Sequence, residues 1–193
     1  MNKLTIAMSG MTLIGLAGCM DMPEASRNAV MDSQLVSPGI EASRSYTVRD
    51  VHVVVPQSLT VSEANTIKPR ADIVWRGDQG PDRHEQLRVL FEEAAAGAEA
   101  LRGDVPVNVE VELIRFHGLT QYTRYNFRGD YDILARITVT DAKTGAILEA
   151  PHEVHMLLPA MSPAQVVETE SQGYTERMFV HDFLRDALTA ELS

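Results

Sequence analysis

The order of apolar and polar positions divides the chain into an address segment, an unpatterned stretch and a folded body. From Tyr46 to Val55 the sequence is β-branched and mostly alternating, which predicts a strand with Val51, Val53 and Val55 facing a core and Pro56 ending it. Ala71–Trp75 is a second short apolar run, broken by Gly77-Asp78-Gln79-Gly80-Pro81. A helix is expected next. Asp82 and Glu85 have the spacing of a capping box, and Leu87, Leu90, Phe91, Ala94, Ala98 and Leu101 recur at three- and four-residue steps. Gly103 is placed as its left-handed terminal residue.

Alternation then returns. Val105, Val107, Val109, Val111 and Leu113 share one face, and the phase flips at Ile114-Arg115-Phe116, as a bulge requires. Tyr131, Ile133, Ala135, Ile137 and Val139 form a partner strand. Asp141–Gly145 reads as a tight turn, and Ala146–Leu158 as a third strand, whose Pro151 suits an edge. Ser162-Pro163 starts a helical turn, and Thr175-Glu176 starts a last helix carrying Phe179, Val180, Phe183, Leu184, Ala187 and Leu188. The fold class expected is α+β: an antiparallel sheet of about four to five strands with two helices packed on one face.

The first 45 residues lack this patterning. Lys3 precedes an apolar run from Leu4 to Leu16, too short to span a bilayer and suited to the core of a secretory signal. The run ends Leu16-Ala17-Gly18-Cys19, which resembles a bacterial lipobox, and Cys19 is the single cysteine of the chain. That resemblance implies diacylglycerol on the Cys19 thiol, cleavage before it and acylation of the new amino group. Two or three acyl chains anchor stably where one would be marginal. The alternative is an ordinary N-terminal helix with a chance cysteine. The organisation expected is a signal peptide over 1–18, a lipidated tether over 19–45 and one domain over 46–193. Val30, Leu35, Val36 and Ile40 leave open that the tether docks on the body instead. Met20, rather than an aspartate, follows Cys19, which favours an outer-membrane destination facing the periplasm.

Charge narrows the partners. The 193 residues hold 17 basic and 27 acidic side chains, a net of −10, and loss of Lys3 on cleavage makes it −11. Such a body repels phosphate backbones, so no nucleic acid is expected as partner, and it stands off an anionic bilayer except through its anchor. A lone cysteine excludes a disulfide framework. No phosphate loop, dinucleotide fingerprint, nucleophile elbow or zinc-protease helix is present. His152-Glu153-Val154-His155 looks metal-like, but residues three apart on a strand face opposite sides. No cofactor, no metal and no catalytic residue are therefore assigned, and a catalytic reading would need two or more of His52, His117, His155 and His181 to converge in a cleft.

One segment stands apart. Residues 115–131 carry five of eleven aromatics and three arginines. Arg115, Tyr122, Arg124, Tyr125 and Arg128 are the candidate partner-binding residues, because aromatic area and guanidinium forks dominate binding hot spots. The bland alternative is a hairpin whose aromatics fill the core.

Four strings, Tyr46–Val55, Val61-Ser62-Glu63-Ala64-Asn65, Ile73-Val74-Trp75-Arg76-Gly77-Asp78 and Arg115-Phe116-His117-Gly118-Leu119-Thr120, resemble an uncharacterised proteobacterial lipoprotein family over about 46–192. The element order is more loosely similar to small α+β envelope lipoproteins that activate cell-wall synthases or assist lipid transporters. The resemblance implies no activity, cofactor or site residues. The expectation is a non-enzymatic, membrane-anchored envelope lipoprotein presenting its body to a protein or envelope polymer. The alternative is a carrier of lipid or another apolar ligand, which needs an enclosed cavity of several hundred Å³ between sheet and helices.

Overall fold

The computed structural model describes residues 45–193. The elements follow in the order β1 (Tyr46–Val54), β2 (Ile73–Val74), α1 (Arg83–Ala95), a short 3₁₀ turn (Ala98–Ala100), β3 (Val105–His117), α2 (Gln121–Asn126), β4 (Asp130–Asp141), β5 (Ile147–Pro159), α3 (Pro163–Ser171) and α4 (Glu176–Glu191). Leu16, Ala17, Gly18, Cys19 and all but the last residue of the tether expected over 19–45 lie outside the described residues.

Five strands make one mixed sheet in the order β1-β3-β4-β5, with β2 paired to the far end of β3. The β3-β4-β5 meander is antiparallel, as expected, but β1 and β2 run parallel to β3. The wholly antiparallel expectation is thus corrected. A strand, a crossover bearing a helix and a second strand form a parallel pair, because the crossover returns the chain to its starting end. Tyr46 lies opposite Val105, so the body begins beside the start of β3. The helix α2 follows β3 after His117, at the other end of the sheet.

The bulge expected near Ile114 is present, since the β3–β4 register shifts between Leu113 and Arg115. Residues 107, 109, 111 and 113 are buried before it and Phe116 after it. A second shift, between Val48 and Asp50, explains why Tyr46 and Val48 face the core and so does Val53. The β5 edge shifts register around Ala150-Pro151, where proline removes a ladder donor. Gly145, at φ +71°, closes the β4–β5 turn with Asp141 Oδ1 accepting from the Lys143 and Thr144 amides.

Among the described residues four helices, not two, accompany the sheet. Two of them, α1 and α4, pack on each other and cover the apolar face through Leu87, Leu90 and Phe91 and through Val180, Leu184 and Leu188. Asp82 caps α1 by accepting the Glu85 amide, but Glu85 turns to Arg88, so the box is half made. This helix stops at Ala95, short of the expected Gly103. Gly103 is not left-handed: a Cβ there would lie 1.9 Å from the Ser45 carbonyl oxygen, so glycine is needed for close approach to β1. Ser162 and Gln165 complete a capping box at α3, and Thr175 caps α4.

The other two are α2, where the alternative reading had a hairpin, and α3, which lengthens the helical turn expected at Ser162-Pro163 and packs against α2. Where α3 and α4 meet the sheet, the free space is about 10 Å³, room for one water rather than an acyl chain. Among the described residues no helix is long and apolar enough to cross a membrane.

Candidate functional site

The corner formed by α2 follows from a capping residue, Thr120. Thr120 accepts the Thr123 amide through its hydroxyl oxygen, which starts a helix of six residues. The same Thr120 hydroxyl donates to the Thr66 carbonyl at 2.7 Å, and the Thr123 hydroxyl donates to the Ile67 carbonyl at 2.7 Å. Asn65 Oδ1 accepts the Tyr122 amide at 2.8 Å. The loop before β2 therefore grips the helix by three bonds.

Below, Arg124 turns inward. Its Nη1 lies 2.5 Å from Glu170 Oε1 of α3 and 3.7 Å from Glu176 Oε2, the first residue of α4. Glu176 is 4% exposed and accepts the Tyr131 hydroxyl at 2.9 Å. Burial pushes the Glu176 carboxyl above its ordinary range, against the pull of Arg124 and the Tyr131 hydrogen bond. Burial likewise raises the Tyr131 phenol, with the Glu176 charge adding to it. Arg124 is therefore not presented to a partner. Its guanidinium offsets two carboxylates and fixes α2 to α3 and α4.

With the scaffold inside, the aromatics are left outside. Tyr122 is 45% exposed, Tyr125 41% and Phe127 41%. Tyr122 and Phe127 meet edge to face at 5.5 Å, and the Tyr125 hydroxyl donates to Glu170 Oε2 at 2.8 Å. The ring of Tyr125 also lies 5.7 Å from the Arg124 guanidinium carbon, a cation–π distance. Of the three half-exposed rings, Tyr125 is tied by its hydroxyl, and Tyr122 and Phe127 brace each other.

The expected segment does not act as one patch. Phe116 and Tyr131 are core residues, and Arg115 lies on the open sheet face, bridging to Asp132 at 3.0 Å. Arg128 is exposed at the end of α2, beside a cleft of about 270 Å³ between the 67–68 loop and the start of β4. Sequence reading missed Glu170, Glu176, Ile67 and Lys68 as neighbours of this corner. No spacing signal could have found Glu170, Glu176 or Ile67, since each lies more than 40 residues from its partner.

Two of the four histidines approach one carboxylate. His155 donates from Nε2 to Asp132 Oδ1 at 2.8 Å, which holds Asp132 below the ordinary carboxylate range, helped by Arg115. His117, buried, donates from Nε2 to the Pro69 carbonyl at 2.9 Å and lines the cleft with Asp132. The cleft lining contains one hydroxyl, that of Thr123, and it is already donated to Ile67. That hydroxyl is therefore not poised as a nucleophile. His152 bonds Glu191 of α4 while His155 bonds Asp132 on the open face, so the two point to opposite sides of β5. Among the described residues no cluster of three metal-ligating side chains occurs.

No curated protein matches the sequence. Among solved structures, the chain is similar to a Xanthomonas campestris protein of family DUF330, at 9% identity over 79% of this chain and 86% of that one, with a TM-score of 0.44. A candidate lipoprotein from Caulobacter crescentus is similar at 14% identity over 74% of this chain and 86% of that one, with a TM-score of 0.34. A minor lipoprotein from Acinetobacter baumannii is similar at 11% identity over 74% and 91%, with a TM-score of 0.29. These scores are too low to transfer anything from those proteins. The match that decides kinship is in sequence and covers the body from the first residue of β1 to its end: residues 46–193 fit the family of unknown function DUF6778, and the chain belongs to that family.

Proposed function

We propose that this chain is a non-enzymatic lipoprotein of the cell envelope, fastened through lipid on Cys19, whose body offers the α2 corner to a protein partner. The anchor rests on the Leu16–Cys19 motif and on the sole cysteine lying within it. The recognition role rests on one observation: Tyr122, Tyr125 and Phe127 are each two-fifths or more exposed, on a corner whose Arg124 is tied to Glu170 and Glu176, with the Tyr125 hydroxyl bound to Glu170 and the Tyr122 and Phe127 rings braced on each other. Rigid aromatic area binds with little further loss of side-chain entropy, which is the property of a hot spot. Exposed rings that served only strand propensity would need no such support.

Two measurements test the two halves. Metabolic labelling with a clickable palmitate analogue is expected to mark the wild-type chain and to leave Cys19→Ser dark. An unlabelled wild type removes the anchor. For the corner, a photo-crosslinking residue at Tyr122 in intact cells is expected to give a discrete product that Phe127→Ser abolishes. The same residue at Thr138, on the open sheet face at the middle of β4, is expected to give none. Equal products at both positions, or a product indifferent to Phe127, remove the corner.

A further inference from the structure

The cleft beside α2 has a charge pattern that the aromatic corner does not explain. In an acidic protein most arginines find carboxylates, as Arg76, Arg83, Arg136 and Arg177 do. Lys68 and Arg128 do not. Both are exposed, both line the cleft, and neither has an ion-pair or hydrogen-bond partner among the described residues. Asp132 could have answered them, but its two oxygens are taken by Arg115 and His155. Asp130 lines the same cleft, is exposed and is likewise unpaired.

Two cations and one carboxylate around a single space specify a ligand. A forked guanidinium and an ammonium suit the several oxygens of a phosphoryl group. A carboxylate can only accept hydrogen bonds, so Asp130 requires a donor such as a hydroxyl near that phosphoryl group. Ile67 and Leu157 also line the cleft while 58% and 55% exposed, which suits a carbon chain. The volume, about 270 Å³, has room for about nine waters at liquid density. That holds a headgroup-sized molecule and not a pair of acyl chains.

The geometry points to a binding site for a phosphorylated polyol, with Lys68 and Arg128 on the phosphoryl oxygens and Asp130 on a hydroxyl. The polyol phosphate is either a free solute or the glycerophosphate headgroup of a lipid. The site depends neither on the lipid anchor nor on the aromatic rings.

Calorimetric titration of the full chain in nonionic detergent with glycerol 3-phosphate tests it. Binding is expected with a Kd of about 1 mM or tighter, and Lys68→Gln combined with Arg128→Gln is expected to weaken it about tenfold or more. Both side chains are exposed, so the double variant keeps its melting temperature. Glycerol alone is expected to give no heat, and Asp130→Asn to narrow the preference for glycerol 3-phosphate over inorganic phosphate. Phosphatidylglycerol vesicles that displace the solute, where phosphatidylcholine vesicles do not, assign a lipid source. Binding without displacement assigns a soluble one. No heat up to about 10 mM, or equal affinity in the double variant, overturns the site.

Discussion

Arg124→Ala is expected to lower the stability of the body by about 3–5 kcal/mol, because it leaves a buried carboxylate without its cation. Glu176 is 4% exposed, and with Arg124 gone the Tyr131 hydroxyl is its remaining side-chain hydrogen bond. For a domain of about 150 residues this is a fall of about 6–20 °C in melting temperature. The loss has a pH signature. The carboxyl of Glu176 has a raised pKa in the folded state, so the folded state binds the extra proton. Stability then falls as pH rises from the unfolded carboxyl value, about 4.3, through the folded one. Removing Arg124 raises the folded value further, so the deficit of the variant is largest near neutral pH and shrinks towards about pH 5. Adding Glu176→Gln to Arg124→Ala is expected to recover part of the loss at neutral pH. Thermal melts of the four proteins of the cycle at two pH values decide it. Equal deficits at both pH values would mean that the pair is not buried as described.

Trp75→Ala is expected to cost a similar amount, about 3–5 kcal/mol, for an apolar reason. The indole is fully buried and meets Phe116 edge to face at 5.4 Å, and Phe116 in turn meets Phe91 of α1. The ring therefore joins the end of β2 to the bulged end of β3 and to the helix layer. Its Nε1–H donates to Asp78 Oδ2 at 2.9 Å, and Asp78 Oδ1 accepts from Arg177 of α4 at 2.8 Å. Trp75→Phe keeps most of the ring area but leaves Asp78 Oδ2 without that donor, and is expected to cost about 1–2 kcal/mol. Urea unfolding of both variants should rank them in that order. A Phe variant as unstable as the Ala variant would place the whole effect in the hydrogen bond.

These two residues mark what the sequence disclosed and what it withheld. Strand faces were legible because alternation is local. Val107 to Leu113, Tyr131 to Val139 and the slip at Ile114 could each be read from neighbours a few residues apart, as could the caps at Ser162 and Thr175. The parallel pairing of β1 was not, since nothing in Tyr46–Val54 records which strand it will join. The helix α2 was missed because six residues cannot establish a period, and Thr120 looks the same at a turn as at a cap. The string Ile73–Asp78, one of the four that carried the family resemblance, proves to be a core tie. Arg124 was singled out by composition, a measure blind to direction: the side chain turns inward to residues 46 and 52 positions away. Tyr122, next but one to it, turns outward.

The parallel start of β1 and β3 has a consequence for reach. The chain enters the body at Tyr46, abreast of Val105, and the corner lies beyond the opposite end of β3, thirteen residues on. At about 3.3 Å per residue the strand alone spans about 40 Å. Seen from Tyr46, that corner is the far end of the sheet. A partner that docks at the corner would therefore engage the end of the sheet away from the strand start through which the chain enters it.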